Sequence, residues 1–206
     1  MIFFLAAVSA PAATGSLKEL LDSVEKRYNR SQTLQVQFTE TYSAMGRAPK
    51  TESGTLYLRK PGRMRWDYAI PRGKVFLGDG KNFYLYTPSN NQVEKVRAKE
   101  SEDMRAPLAF LLGKLNFDRD FRSFRSRPEG GGQWVIADPK SANLPYTKVE
   151  FLVMPDARIE RVRVTGHDLS TLDFRFDDER VNPRLDAKLF QFTAPSGAKV
   201  VLAGEN

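Results

Sequence analysis

Leu34, Val36 and Phe38 alternate with Gln35, Gln37 and Thr39, and this two-residue period returns again and again toward the C-terminus. Such alternation marks strands with one face against a core and the other in water. It predicts strands at 33–44, 52–60, 63–69, 73–78, 82–88 and 92–98, then at 117–126, 132–138, 146–154, 158–166, 169–177 and 188–193. Gly78-Asp79-Gly80-Lys81 carries the Asp-Gly signal of a tight hairpin, and Ser89-Asn90-Asn91 and Gly130-Gly131-Gly132 repeat it more loosely. Neighbours in sequence are therefore expected to pair antiparallel.

The period changes to that of a helix in two places. Ser16 and Glu19 form a capping-box pair ahead of Leu17, Leu20, Leu21, Val24 and Tyr28, which make one apolar stripe with a charged back. That helix must lie on something apolar. Met104 to Leu115 is expected to form a shorter helix opening at Pro107, apolar almost all round through Leu108, Phe110, Leu111, Leu112 and Leu115. It suits a lid over an apolar interior.

Several strand faces are apolar on one side only: Leu172, Phe174 and Phe176 oppose Thr171, Asp173, Arg175 and Asp177, and Val149, Phe151 and Val153 oppose Lys148 and Glu150. A meander of about eleven such strands with two or three short helices implies a barrel or strongly curved sheet, mainly β within the α+β class. With 14 Phe and 7 Tyr its apolar face is large. Either the helices fill that face, or it leaves a cavity for something apolar.

Composition narrows the partners. The net charge of +7 and pI near 9.6 favour an anionic partner, but acids and bases are mixed through the same segments, the look of a solvated surface. The stretch RKPGRMRWDYAIP at 59–71 interleaves Arg63 and Arg65 with Met64, Trp66 and Tyr68. In a strand those two sets point to opposite faces, so stacked bases and their phosphates could not reach both, and no nucleic acid is expected. With no cysteine there is no disulfide, no thiolate metal site and no N-terminal cysteine to carry a lipid. Residues 1–13, MIFFLAAVSAPAA, read as a signal peptide, and the absence of Lys or Arg before the apolar run implies that its true start lies upstream. Residues 14–206 are then expected to form a single domain.

Catalytic chemistry finds little support. His167 is the sole histidine and follows Thr165-Gly166 as a turn residue would; no Gly-x-Ser-x-Gly elbow is present. Asp177-Asp178-Glu179 lacks the ligand spacing of a calcium or zinc site and reads as a solvated turn. Gly78 to Lys81 joins two strands, which is the wrong context for phosphate. No catalytic residue, metal or cofactor is expected.

The order of several motifs resembles the periplasmic outer-membrane lipoprotein carrier family, LolA. They are Gln37-Phe38-Thr39, the run Gly54-Thr55-Leu56-Tyr57-Leu58-Arg59-Lys60-Pro61-Gly62-Arg63-Met64-Arg65-Trp66, then Pro71, Asp79-Gly80-Lys81-Asn82-Phe83-Tyr84-Leu85-Tyr86 and Gln92-Val93, and finally Phe190-Gln191-Phe192-Thr193-Ala194-Pro195-Ser196-Gly197. The resemblance spans roughly residues 17–201. It implies an unclosed antiparallel barrel with a helical lid over an apolar cavity, and a soluble, monomeric, periplasmic, non-catalytic carrier. Such a carrier takes acylated lipoproteins from an inner-membrane ABC transporter and passes them to an outer-membrane receptor. Leu56, Leu58, Met64, Trp66 and Tyr68 are the candidate lipid-binding residues on the sheet, and Phe110, Leu111 and Leu112 those on the lid; a plain core is the competing reading for each. Some family members have Arg before the Pro of this motif, where it tethers the lid. Here Lys60 is the latch candidate, and it lacks the planar fork of arginine, so Arg59 and Arg63 are alternatives. A carrier of glycolipid or another acylated molecule, and a lipoprotein-sensing regulatory module, are alternative readings of the same fold.

Overall fold

The computed structural model describes residues 16–97 and 115–202. Helix α1 (Leu17–Arg30) begins at the expected capping box: Ser16 Oγ accepts from the Glu19 amide at 3.2 Å, and the Glu19 carboxylate accepts from the Ser16 amide at 2.9 Å. Its buried stripe is Leu21, Val24 and Tyr28, with Leu17 and Leu20 packed at the margin.

Six strands follow: β1 (Thr33–Ser43), β2 (Lys50–Arg59), β3 (Arg63–Ile70), β4 (Val75–Gly78), β5 (Asn82–Thr87) and β6 (Gln92–Arg97). After the four-residue helix α2 (Phe117–Asp120) come β7 (Phe121–Glu129), β8 (Gly132–Pro139), β9 (Tyr146–Val153), β10 (Ile159–Gly166), β11 (Thr171–Val181) and β12 (Lys199–Leu202). All twelve join one sheet in the order β12-β6-β5-β4-β3-β2-β1-β11-β10-β9-β8-β7. Two hairpin meanders thus meet at an antiparallel seam between β1 and β11. β7 and β12 remain at the edges, and the curved sheet does not close. Its inner face carries the main core, from Leu34, Val36 and Phe38 through Phe174 and Phe176 to Val149 and Phe151.

The structure departs from the sequence expectations at four places. The stretch 117–126 opens with α2, because Asn116 caps the turn by accepting from the Arg119 amide at 2.7 Å and Glu25 accepts from the Phe117 amide at 2.6 Å. The stretch 188–193 is no strand: Ala187–Phe190 is a 3-10 turn capped by Asp186. Phe190 is buried, and Phe192 stacks on Tyr84 with centroids 4.7 Å apart. The chain from Asn182 to Ala198 therefore crosses the outer face of the sheet, held also by Arg65 Nη1 donating to the Leu189 carbonyl at 3.2 Å. That crossing delivers β12 to β6 in parallel, while the strands joined by hairpins pair antiparallel as expected. Arg65 faces this strap and Asp67.

Asp177-Asp178-Glu179 is not a solvated turn. It lies inside β11 at a bulge where Gln35 pairs Arg180 but Gln37 pairs Asp177, and Asp178 takes the left-handed φ of 54°. The extra residue turns Asp178 outward and Glu179 inward, and the Glu179 side chain is only 5% exposed. Finally, Glu150, expected on a solvated face, is buried on the outer side of the sheet, where its Oε1 accepts from Trp134 Nε1 at 3.2 Å. His167 does occupy the β10–β11 turn, within hydrogen-bond distance of the Leu144 carbonyl.

Candidate functional site

The β2–β3 hairpin brings five of the predicted site residues together. In its register Leu56 faces Trp66, Leu58 faces Met64 and Gly54 faces Tyr68, all on the inner face. All five candidates are buried. Gly54 makes this close packing possible, since a Cβ there would sit 2.0 Å from the Asp67 carbonyl oxygen. Trp66 meets Phe38 edge-on at 4.7 Å and Phe174 at 5.4 Å, Phe38 meets Tyr68 edge-on at 5.1 Å, and Phe174 stacks on Phe176 at 6.0 Å. Trp66 Nε1 donates to Met64 Sδ at 3.4 Å, so the indole needs no water. Phe110, Leu111 and Leu112 lie outside the described residues.

At one end of this apolar interior stands a polar group that the periodicity did not reveal. The Tyr28 hydroxyl donates to Glu179 Oε2 at 2.8 Å and accepts from the Ile159 amide at 2.9 Å; Arg27 Nη2 donates to Glu179 Oε1 at 2.5 Å. Burial, reinforced by the Glu179 charge, raises the Tyr28 pKa, so its hydroxyl remains a donor. Tyr28 was legible only as the last member of an apolar stripe, and the inward turn of Glu179 has no sequence signal. Two small clefts flank Tyr28, one lined by Leu34, Val36, Leu56 and Glu179, the other by Leu34, Leu58 and Lys60.

Lys60 reaches into this end, donating from Nζ to the Tyr28 carbonyl at 2.5 Å. Among the described residues Lys60 thus ties the β2–β3 turn to the C-terminal turn of α1. Two further contacts fasten α1 to the chain around α2: Asn29 Nδ2 donates to the Leu115 carbonyl at 2.8 Å and Asn29 Oδ1 accepts from the Leu115 amide at 2.7 Å.

The opposite end of the interior holds Glu40 and Glu52, directly opposed across β1 and β2 and both buried. Tyr68 donates to Glu40 at 3.2 Å, and Glu52 is paired with Lys50 at 2.6 Å and with Lys74. Burial alone would raise the Glu52 pKa, but the hydrogen bonds from Lys50 and Lys74 outweigh it and hold the carboxylate below its usual value. No group of three His, Cys, Asp or Glu able to hold a metal ion occurs among the described residues.

The inner face of the sheet is thus a long apolar row with buried ionic groups at both ends. The profile described as outer membrane lipoprotein carrier protein LolA matches residues 29–193. The chain belongs to the LolA family. Curated relatives agree: the outer-membrane lipoprotein carrier protein of Bordetella avium is 32% identical, over 80% of this chain and 78% of its own. That of Dechloromonas aromatica is 29% identical over 92% and 89%. The fold is shared with solved structures far apart in sequence. An uncharacterized conserved protein from Thermus thermophilus gives a TM-score of 0.52 at 15% identity, covering 90% of this chain and 98% of that one. A DUF1329 family protein from Desulfovibrio piger gives 0.51 at 14%, covering 86% and 98%. In this LolA-family chain the motif run 54–66 is the β2–β3 hairpin itself, and the C-terminal motif 190–197 is the strap over the outer face.

Proposed function

We infer that the chain is a soluble, non-catalytic carrier of acylated lipoproteins, a single domain over residues 14–206 that works as a monomer in the periplasm. It shields acyl chains against the inner face of the sheet and moves them from an inner-membrane ABC transporter to an outer-membrane receptor. Leu56, Leu58, Met64, Trp66 and Tyr68 form the sheet wall of the binding site, and Phe110, Leu111 and Leu112 its other wall. The observation that carries this reading is the unbroken inner row from Leu58 and Met64 to Phe38 and Phe174 in a LolA-family chain.

Exposing each CH₂ to water costs about 0.8 kcal/mol, so one lipid-length acyl chain costs on the order of 10 kcal/mol to carry unshielded. A carrier must also let go, which favours an adaptable wall over a rigid slot. Met64 between Leu58 and Trp66 supplies an unbranched side chain at that position. No helix among the described residues is long and apolar enough to cross a membrane.

Native mass spectrometry of protein purified from the periplasm tests the reading. Lipoprotein adducts are the expected result. Free glycolipid adducts would reassign the cargo, and a protein that takes up neither acylated species nor an apolar fluorescent probe would end every carrier reading.

A further inference from the structure

The three most exposed large apolar side chains among the described residues are Met45, Leu169 and Ile70, at 87%, 70% and 62%. Single exposed apolar residues are ordinary. These three are not scattered. Met45 lies in the β1–β2 loop, Ile70 at the β3–β4 loop and Leu169 in the β10–β11 loop, and in the sheet order β4-β3-β2-β1-β11-β10 those hairpins stand side by side. All three loops open at the same end of the sheet, so one rim presents three apolar tips in a row.

Two further observations give the rim a direction. Arg47 and Arg72 sit on the same loops, exposed and without an ion-pair partner among the described residues. The one carboxylate on these three loops, Asp168, is occupied by the amide and hydroxyl of Ser170, at 3.0 and 2.6 Å. Leu169 also adopts a left-handed φ of 63°, a conformation that glycine or asparagine takes at lower cost, while its side chain gains nothing from packing.

We propose that this rim docks the protein on an anionic phospholipid surface, with Met45, Ile70 and Leu169 entering the interfacial layer and Arg47 and Arg72 meeting the headgroups. Apolar tips flanked by bases match the interface of such a bilayer, where apolar insertion and attraction to anionic headgroups act together. The net charge of +7 works in the same direction at longer range. A second copy of the chain is a poorer occupant: a stable dimer buries on the order of 800 Å² per partner, which three separate tips do not supply. The proposal does not depend on the nature of the cargo.

The chain contains no cysteine, so Leu169→Cys gives a single labelling site for an environment-sensitive fluorophore. On mixing with phosphatidylglycerol–phosphatidylcholine vesicles at low salt, the label is expected to brighten and shift to the blue. It should do neither with phosphatidylcholine alone. In vesicle co-sedimentation, Met45→Ser/Ile70→Ser/Leu169→Gly should lower partition at least tenfold, and the glycine also relaxes the strained turn. Arg47→Ser/Arg72→Ser should lose the preference for phosphatidylglycerol. Binding of an apolar probe, run in parallel, should be unchanged in both variants, which separates a failure of docking from a failure of the carrier reading. A wild-type protein that ignores anionic vesicles overturns the proposal. So does a triple variant that binds them within twofold of wild type, or a rim that alters self-association on a sizing column and leaves lipid binding untouched.

Discussion

Lys60 Nζ lies 2.5 Å from the Tyr28 carbonyl oxygen, which also accepts the Ser31 amide at 3.1 Å. A side chain from the β2–β3 turn therefore closes the C-terminus of α1, where the helix dipole favours a cation. Lys60→Ala leaves the carbonyl one partner, so the expected loss is about 1 kcal/mol, read from the urea midpoint.

The same residue predicts a pH effect. Burial lowers the Lys60 pKa below its ordinary 10.5. Between the lowered folded value and 10.5 the unfolded chain binds more protons than the native one, so the Lys60 contribution to stability rises with pH across that window. Lys60→Arg keeps its proton there. Stability of wild type minus that of Lys60→Arg should grow from neutral to alkaline pH; a flat or falling difference would contradict the assignment.

Tyr28→Phe removes the hydroxyl that serves both the buried Ile159 amide and Glu179. Leaving a buried donor unsatisfied costs about 1–3 kcal/mol. Thermal unfolding should show that loss, and amide exchange at Ile159 should quicken more than at Val162, which lies deeper in the same strand.

The two tryptophans allow the interior to be read separately from the outer face. Trp66 is enclosed between Phe38 and Phe174, whereas Trp134 packs outside against Glu150, Arg161 and Arg163. An acylated ligand should shift the emission of Trp134→Phe, which retains Trp66, and leave that of Trp66→Phe unchanged. Equal shifts in both proteins would remove Trp66 from the binding wall.

Gly54→Ala places a methyl 2.0 Å from the Asp67 oxygen and 2.8 Å from Tyr68 Cα, both backbone atoms that cannot step aside alone. The cost should exceed about 3 kcal/mol, at or beyond the upper end of ordinary overpacking. Chemical denaturation should show either that loss or no cooperative transition at all.

Much of this arrangement was legible in advance where one residue decides its own environment. The period at Met64, Trp66 and Tyr68 placed all three on the inner face, and Asp79-Gly80 marked its hairpin. Legibility failed where a distant partner decides. Phe190 and Phe192 alternate as a strand would, but Tyr84 and Arg65 draw them onto the outer face instead. Glu179 was hidden because a bulge at a non-glycine residue leaves no mark in composition. The motif singled out Lys60, yet the acceptor it meets on α1, a backbone carbonyl, belongs to no particular residue type.

That bulge also sets a length. It lies opposite Val36 on β1, and four residues further along the same strand Glu40 marks the other ionic boundary. At strand spacing this is about 14 Å. The hydrocarbon core of a bilayer is about 30 Å thick, so one leaflet is about 15 Å deep. From Glu179 at the bulge to Glu40, the inner face of the sheet therefore spans about the depth of one leaflet.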